Sequence, residues 1–96
     1  MTKQEHLLVL LMEECAEVSQ RASKILRFGL KDKDGSEPGQ PYTNEQRLHF
    51  EVNDLLAILD MVYEGKNSYS SPMAQLQKKK KVEKYLNLSK KLGLGD

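Results

Sequence analysis

Cysteine occurs once in the 96 residues, at Cys15. No intramolecular disulfide can form, which fits a reducing compartment and a cytoplasmic setting. Long apolar runs are missing too. The longest, 7–12, has six residues and ends against Glu13 and Glu14. That is too short for the apolar stretch of a secretory leader and far too short to cross a membrane. No charge of one sign is in excess: 15 Lys and Arg face 14 Asp and Glu, for a net charge of +1. This balance argues against a dedicated nucleic-acid binder. A G-x-x-x-x-G-K-[ST] loop is absent, which weighs against a P-loop NTPase. No stretch sustains the alternation of a strand, and no internal repeat is visible. The two histidines, His6 and His49, read as surface or packing residues.

What is present is helical. The length predicts one domain, 1–96, and folding at this size buries only about 60–70% of the unfolded chain's surface, so a partner subunit would help. Thr2 and Glu5 have capping-box spacing, and no Gly or Pro interrupts the chain from there to Phe28. Gly29 then follows Arg27 of the last turn as a helix stop. The segment GLKDKDGSEPGQPY, within 29–43, reads as a loop. Thr43 and Gln46 repeat the capping box, and a second helix is predicted to about Glu64, stopped by Gly65. Ser71 and Pro72 open a third helix over about 72–92, which carries KKKK at 78–81 and a thin apolar stripe of Val82, Leu86 and Leu92. The expected class is all-α: two long antiparallel helices plus a C-terminal third. The lysine run reads either as a solvated face or as a phosphate-facing lid.

The acids are placed oddly. At about 100° per residue, the first helix has an apolar arc of Leu8, Leu11, Cys15, Val18, Ala22 and Ile25. Cys15 therefore reads as core rather than nucleophile. Glu14 and Glu17 border that arc, Arg21 and Lys24 continue the stripe of Glu17, and Glu13 points away. On the second helix the arc is Leu48, Val52, Leu55, Leu59 and Val62, and Glu51 falls inside it. Asp54 lies at its border, with a smaller patch of Phe50, Ala57 and Met61 beyond. An unpartnered carboxylate on an apolar face is costly to ionise. If the helices pack antiparallel, Glu14, Glu17, Glu51 and Asp54 face one another and need a cation to stay charged together. Oxygen ligands suit Mg²⁺ or Mn²⁺ better than zinc. Taken alone, E-x-x-E and E-x-x-D are usually solvated faces, and Glu51 can instead pair with Arg21 or Lys24.

EECAE at 13–17 and EVND at 51–54 resemble the E-E-x-x-E … E-x-x-D signature of the MazG-like all-α nucleotide pyrophosphohydrolases. The text after each motif, AEVSQRASKILRFG and LLAILDMV, is similar as well. The likeness covers residues 1 to about 64 well and the Lys-rich segment loosely. It implies a four-helix-bundle-like core completed by a homodimer or homotetramer. It also implies Mg²⁺-dependent hydrolysis of a nucleoside triphosphate to the monophosphate and pyrophosphate. In this sequence Glu14 and Glu17 match the first metal pair, and Glu51 and Asp54 the second. Glu13 matches the leading acid, so Glu13, Glu14 and Glu17 are the catalytic candidates. Lys24, Arg21 and Lys81 are the phosphate-contact candidates, and Asn44 and Asn53 are candidates for base selection. One departure is the spacing: 33 residues separate Glu17 from Glu51, more than in the family's shorter members. The excess lies in the 29–43 loop, which can cover the pocket, meet another subunit, or be a passive insertion.

Two rival readings stay open. One is a non-enzymatic helical dimerisation module whose Lys-rich tail contacts nucleic acid or an acidic partner. The acid motifs count against it, because without metal they repel phosphate. The other keeps fold and metal but takes dUTP or another nucleotide as substrate.

Overall fold

The computed structural model describes residues 1–33 and 38–95. Residues 34–37, part of the 29–43 loop, lie outside the described set. Three helices follow in order: α1 Lys3–Phe28, α2 Asn44–Val62 and α3 Pro72–Lys91. Among the described residues there is no strand, and no helix is long and apolar enough to cross a membrane. The chain divides into two compact units, Met1–Lys66 and a second that begins at Asn67.

Local chemistry fixes the helix starts. Thr2 Oγ1 accepts the Glu5 N–H at 3.1 Å, and Glu5 Oε1 accepts the Thr2 N–H at 3.0 Å. Thr43 and Gln46 repeat the arrangement at 3.1 and 2.9 Å. Each box satisfies two donors that a bare helix end leaves orphaned. Ser71 Oγ accepts from the Ala74 N–H, with Pro72 in the first turn of α3. At the end of α1, Gly29 takes φ +92° and its N–H reaches back to the Ile25 carbonyl at 2.8 Å. The second helix is two residues shorter than predicted. Glu64 enters the left-handed region at φ +55°, and the Gly65 N–H returns to the Asp60 carbonyl. The chain thus leaves the helix before the glycine that marks its end.

In the first unit α1 and α2 run antiparallel. Near the open end, Gln4 Nε2 donates to the Val62 carbonyl at 3.5 Å. Near the loop end, Arg21 Nη1 donates to Asn44 Oδ1 at 3.2 Å. The buried and half-buried residues of α1 include Leu7, Leu11, Glu14, Val18, Arg21 and Ile25, spaced alternately by four and three as a helix–helix seam requires. On α2 the matching positions are Leu48, Glu51, Val52, Leu55, Ile58, Leu59 and Val62.

The α2 face agrees with the arc read from the sequence, but that of α1 does not. Leu8, Cys15 and Ala22 are exposed, so Cys15 is not a core residue. The physical reason is that α1 is apolar over more than one face. A wheel centred on all its apolar positions points between two faces, and α2 covers only one. The uncovered face holds Leu8, Met12 and Leu26. On α2, Phe50, Leu56 and Met61 are exposed as well. Leu7 is the one buried hydrophobic residue among those described.

Candidate metal centre

Glu14 and Arg21 occupy seam positions that a simple helical pair would give to Leu. Glu14 is half-buried on α1, Glu51 is half-buried on α2, and Glu17 is exposed one turn beyond Glu14. One carboxylate oxygen from each lies within 4.8 Å of the others. Two oxygens on opposite sides of a Mg²⁺ ion sit about 4.2 Å apart, given bonds near 2.1 Å. Small rotamer changes would therefore bring all three onto a single cation. Asp54, exposed one turn along α2 from Glu51, flanks the group, and its charge acts on both Glu14 and Glu51. Glu13 is exposed and outside the converging three.

The electrostatics report the crowding. Glu14 is pushed above the ordinary glutamate range, first by loss of solvation and then by the charges of Glu17, Asp54 and Glu13. Glu51 is also pushed up, by loss of solvation and by the adjoining Glu17 carboxyl, while the Arg21 guanidinium pulls the other way. Glu14 Oε2 is buried with no hydrogen-bond partner among the described residues. A buried acceptor is almost always satisfied in a folded protein, so this oxygen is where a cation would be most stabilising. The donor set, all carboxylate oxygen, fits a hard ion such as Mg²⁺ or Mn²⁺.

The other predicted positions are dispersed. Arg21 lies inside the seam, only 5% exposed, rather than on the stripe bordering the apolar arc where the sequence puts it. Lys24 is half-buried on α1. Lys81 is exposed on α3, in the second unit. Of the asparagines offered for base selection, Asn53 is exposed on α2 with Nδ2 donating to the His49 carbonyl at 2.8 Å, and Asn44 is buried. His6 and His49 are exposed. The buried pair Arg21 and Asn44 was missed from sequence. The signal for Arg21 was the four–three spacing 7, 11, 14, 18, 21, 25, which selects it over Ala22. For Asn44 no comparable signal exists, since the position after a capping threonine accepts most residues. No protein family, curated protein or solved structure matches the chain, so the reading of this centre rests on its own geometry.

Proposed function

We propose that this chain is a magnesium-dependent nucleoside triphosphate pyrophosphohydrolase of the MazG-like kind, converting NTP and water to NMP and pyrophosphate. The observation that carries the reading is the convergence of Glu14, Glu17 and Glu51 from two helices, with Glu14 Oε2 buried and unpartnered. Such a group is unfavourable by itself and useful when it holds a cation.

Glu14, Glu17 and Glu51 would hold the metal, with Asp54 beside them. When bound, Mg²⁺ or Mn²⁺ offsets the charge of the triphosphate and acidifies a coordinated water. Glu13, outside the converging group, would be the base that takes the proton of the attacking water, or Glu17 in any state where it is not a ligand. Water adds at the α-phosphorus, the bond to the bridging oxygen breaks, and pyrophosphate leaves. Lys24 is the cation on α1 that would meet a phosphate oxygen. The uncovered faces of the hairpin, with Leu8, Met12 and Leu26 on α1 and Phe50, Leu56 and Met61 on α2, support completion of a four-helix bundle by a second copy, as a homodimer or within a homotetramer. The reaction suits a cytoplasmic protein.

The test is pyrophosphate release from a panel of canonical and modified NTPs with Mg²⁺. At least one nucleotide is expected to turn over, and Glu51→Gln and Asp54→Asn each to lose about 100-fold or more. Variants as active as the wild type would remove the cluster from the reaction. The same uncovered faces favour a second reading, a helical dimerisation module without catalysis. That module would dimerise normally and hydrolyse none of the panel.

A further inference from the structure

The two buried polar residues among those described sit together in the hairpin: Arg21, 5% exposed, and Asn44, 1% exposed. A buried primary amide must place its donors and its acceptor, and the Asn44 amide reaches both α1 and the loop base. Its Oδ1 accepts from Arg21 Nη1 at 3.2 Å, and its Nδ2 donates to the Gly29 carbonyl at 3.1 Å. Its backbone N–H donates to the Asp32 carbonyl at 2.9 Å, and the next N–H, of Glu45, donates to the Leu30 carbonyl at 3.0 Å. Three carbonyls of the loop base, those of Gly29, Leu30 and Asp32, are thus tied to the first turn of α2 through one residue and its neighbour. The same residue seats the guanidinium.

Along α1 Arg21 also neighbours the acids. It lies one turn beyond Glu17 on α1, the spacing at which side chains on a helix meet. Glu17 in turn brings a carboxylate oxygen within 4.8 Å of one of Glu51 across the seam. A guanidinium is a rigid planar fork, so holding one of its nitrogens fixes the direction of the others.

We propose that Asn44 and Arg21 are positioning residues for the carboxylate cluster: Asn44 fixes the guanidinium, and the guanidinium fixes how Glu17 and Glu51 present their oxygens. The inference rests on the cluster being a cation site. It makes the loop base and the metal centre one mechanical unit, although neither residue needs to touch metal or substrate.

The experiment compares the full-length wild type, Asn44→Ala and Thr43→Ala. Thr43→Ala removes the cap of the same helix end without touching Arg21, so it controls for plain destabilisation. Mn²⁺ affinity is measured by titration, and the carboxyl ¹³C resonances of Glu17 and Glu51 are recorded without metal. Asn44→Ala should weaken Mn²⁺ binding about 10-fold or more and move both resonances. Thr43→Ala should lower the melting temperature and leave both readouts in place. Arg21→Lys keeps the charge but not the fork. It should follow Asn44→Ala, and it serves if that variant does not fold. Wild-type Mn²⁺ affinity in Asn44→Ala, or an equal loss in Thr43→Ala, overturns the proposal. If the wild type itself binds no Mn²⁺, the cation reading falls, and the metal-free resonances alone decide: unmoved in Asn44→Ala, they overturn the positioning role, and moved, they support it.

Discussion

The two units of the chain differ in charge and in what they bury. Residues 1–66 carry twelve Asp and Glu against eight Lys and Arg, while residues 67–96 carry seven Lys against two acids. In the first unit charged groups enter the packing seam, at Glu14, Arg21 and Glu51. In the second, α3 buries none of its residues. A charge set into a seam has its energy decided by its neighbours, so its position carries information. A charge on a solvated helix interacts weakly and can be exchanged for another polar group at little cost.

Breaking this contrast should have unequal effects. The largest is expected at Arg21. Arg21→Met keeps the volume but strips Asn44 Oδ1 of its donor and Glu51 of its countercharge. Chemical denaturation of metal-free protein should register a loss of about 3 kcal/mol. Next comes the cation. If the cluster is a metal site, Mn²⁺ at 100 times its dissociation constant should stabilise the wild type by about 2.7 kcal/mol in thermal melts, and this gain should vanish in Glu51→Gln.

A smaller effect concerns pH. Glu14 and Glu51 titrate above the ordinary range in the folded state. As pH rises, the unfolded chain therefore ionises these groups first. Their contribution to stability is present below the ordinary glutamate range and is lost as pH climbs through the raised values. Without metal, melting temperatures of wild type minus Glu51→Gln should fall from pH 5 to pH 8. Glu5 works in the opposite sense, since its bonds to Thr2 hold it below the ordinary range, which is why the difference between two variants is the quantity to follow. The smallest effect belongs to the other unit: Lys84→Ala on α3 should change stability by no more than about 0.5 kcal/mol. A larger loss there would mean that α3 is not merely solvated.

Much of the fold was legible because helix ends are written locally. Thr2 with Glu5, Thr43 with Gln46, and Ser71 with Pro72 each mark a start that a few neighbouring atoms suffice to set. The face α1 presents was not legible. Leu8, Cys15 and Ala22 compete with Leu7, Glu14 and Arg21 for the seam, and hydrophobicity alone favours the wrong set. At the centre, Glu51 announced itself as an acid inside an apolar arc, and Glu14 and Glu17 followed from an antiparallel pairing. The Arg21–Asn44 link was hidden because polar residues at buried positions look like interruptions of a pattern until their partners are known.

That link also bears on the order in which the chain folds. Arg21 and Asn44 meet across 23 positions of sequence, whereas Gln4 and Val62 meet across 58. Closing the shorter loop costs about 0.8 kcal/mol less entropy, so the hairpin should nucleate at the loop end and zip toward its open end. In stopped-flow measurements Asn44→Ala should slow folding, while Gln4→Ala should mainly speed unfolding. The acids lie between these two contacts. On that order they would be drawn together only after the clamp has formed, and their mutual repulsion would be met by a chain already committed to its register.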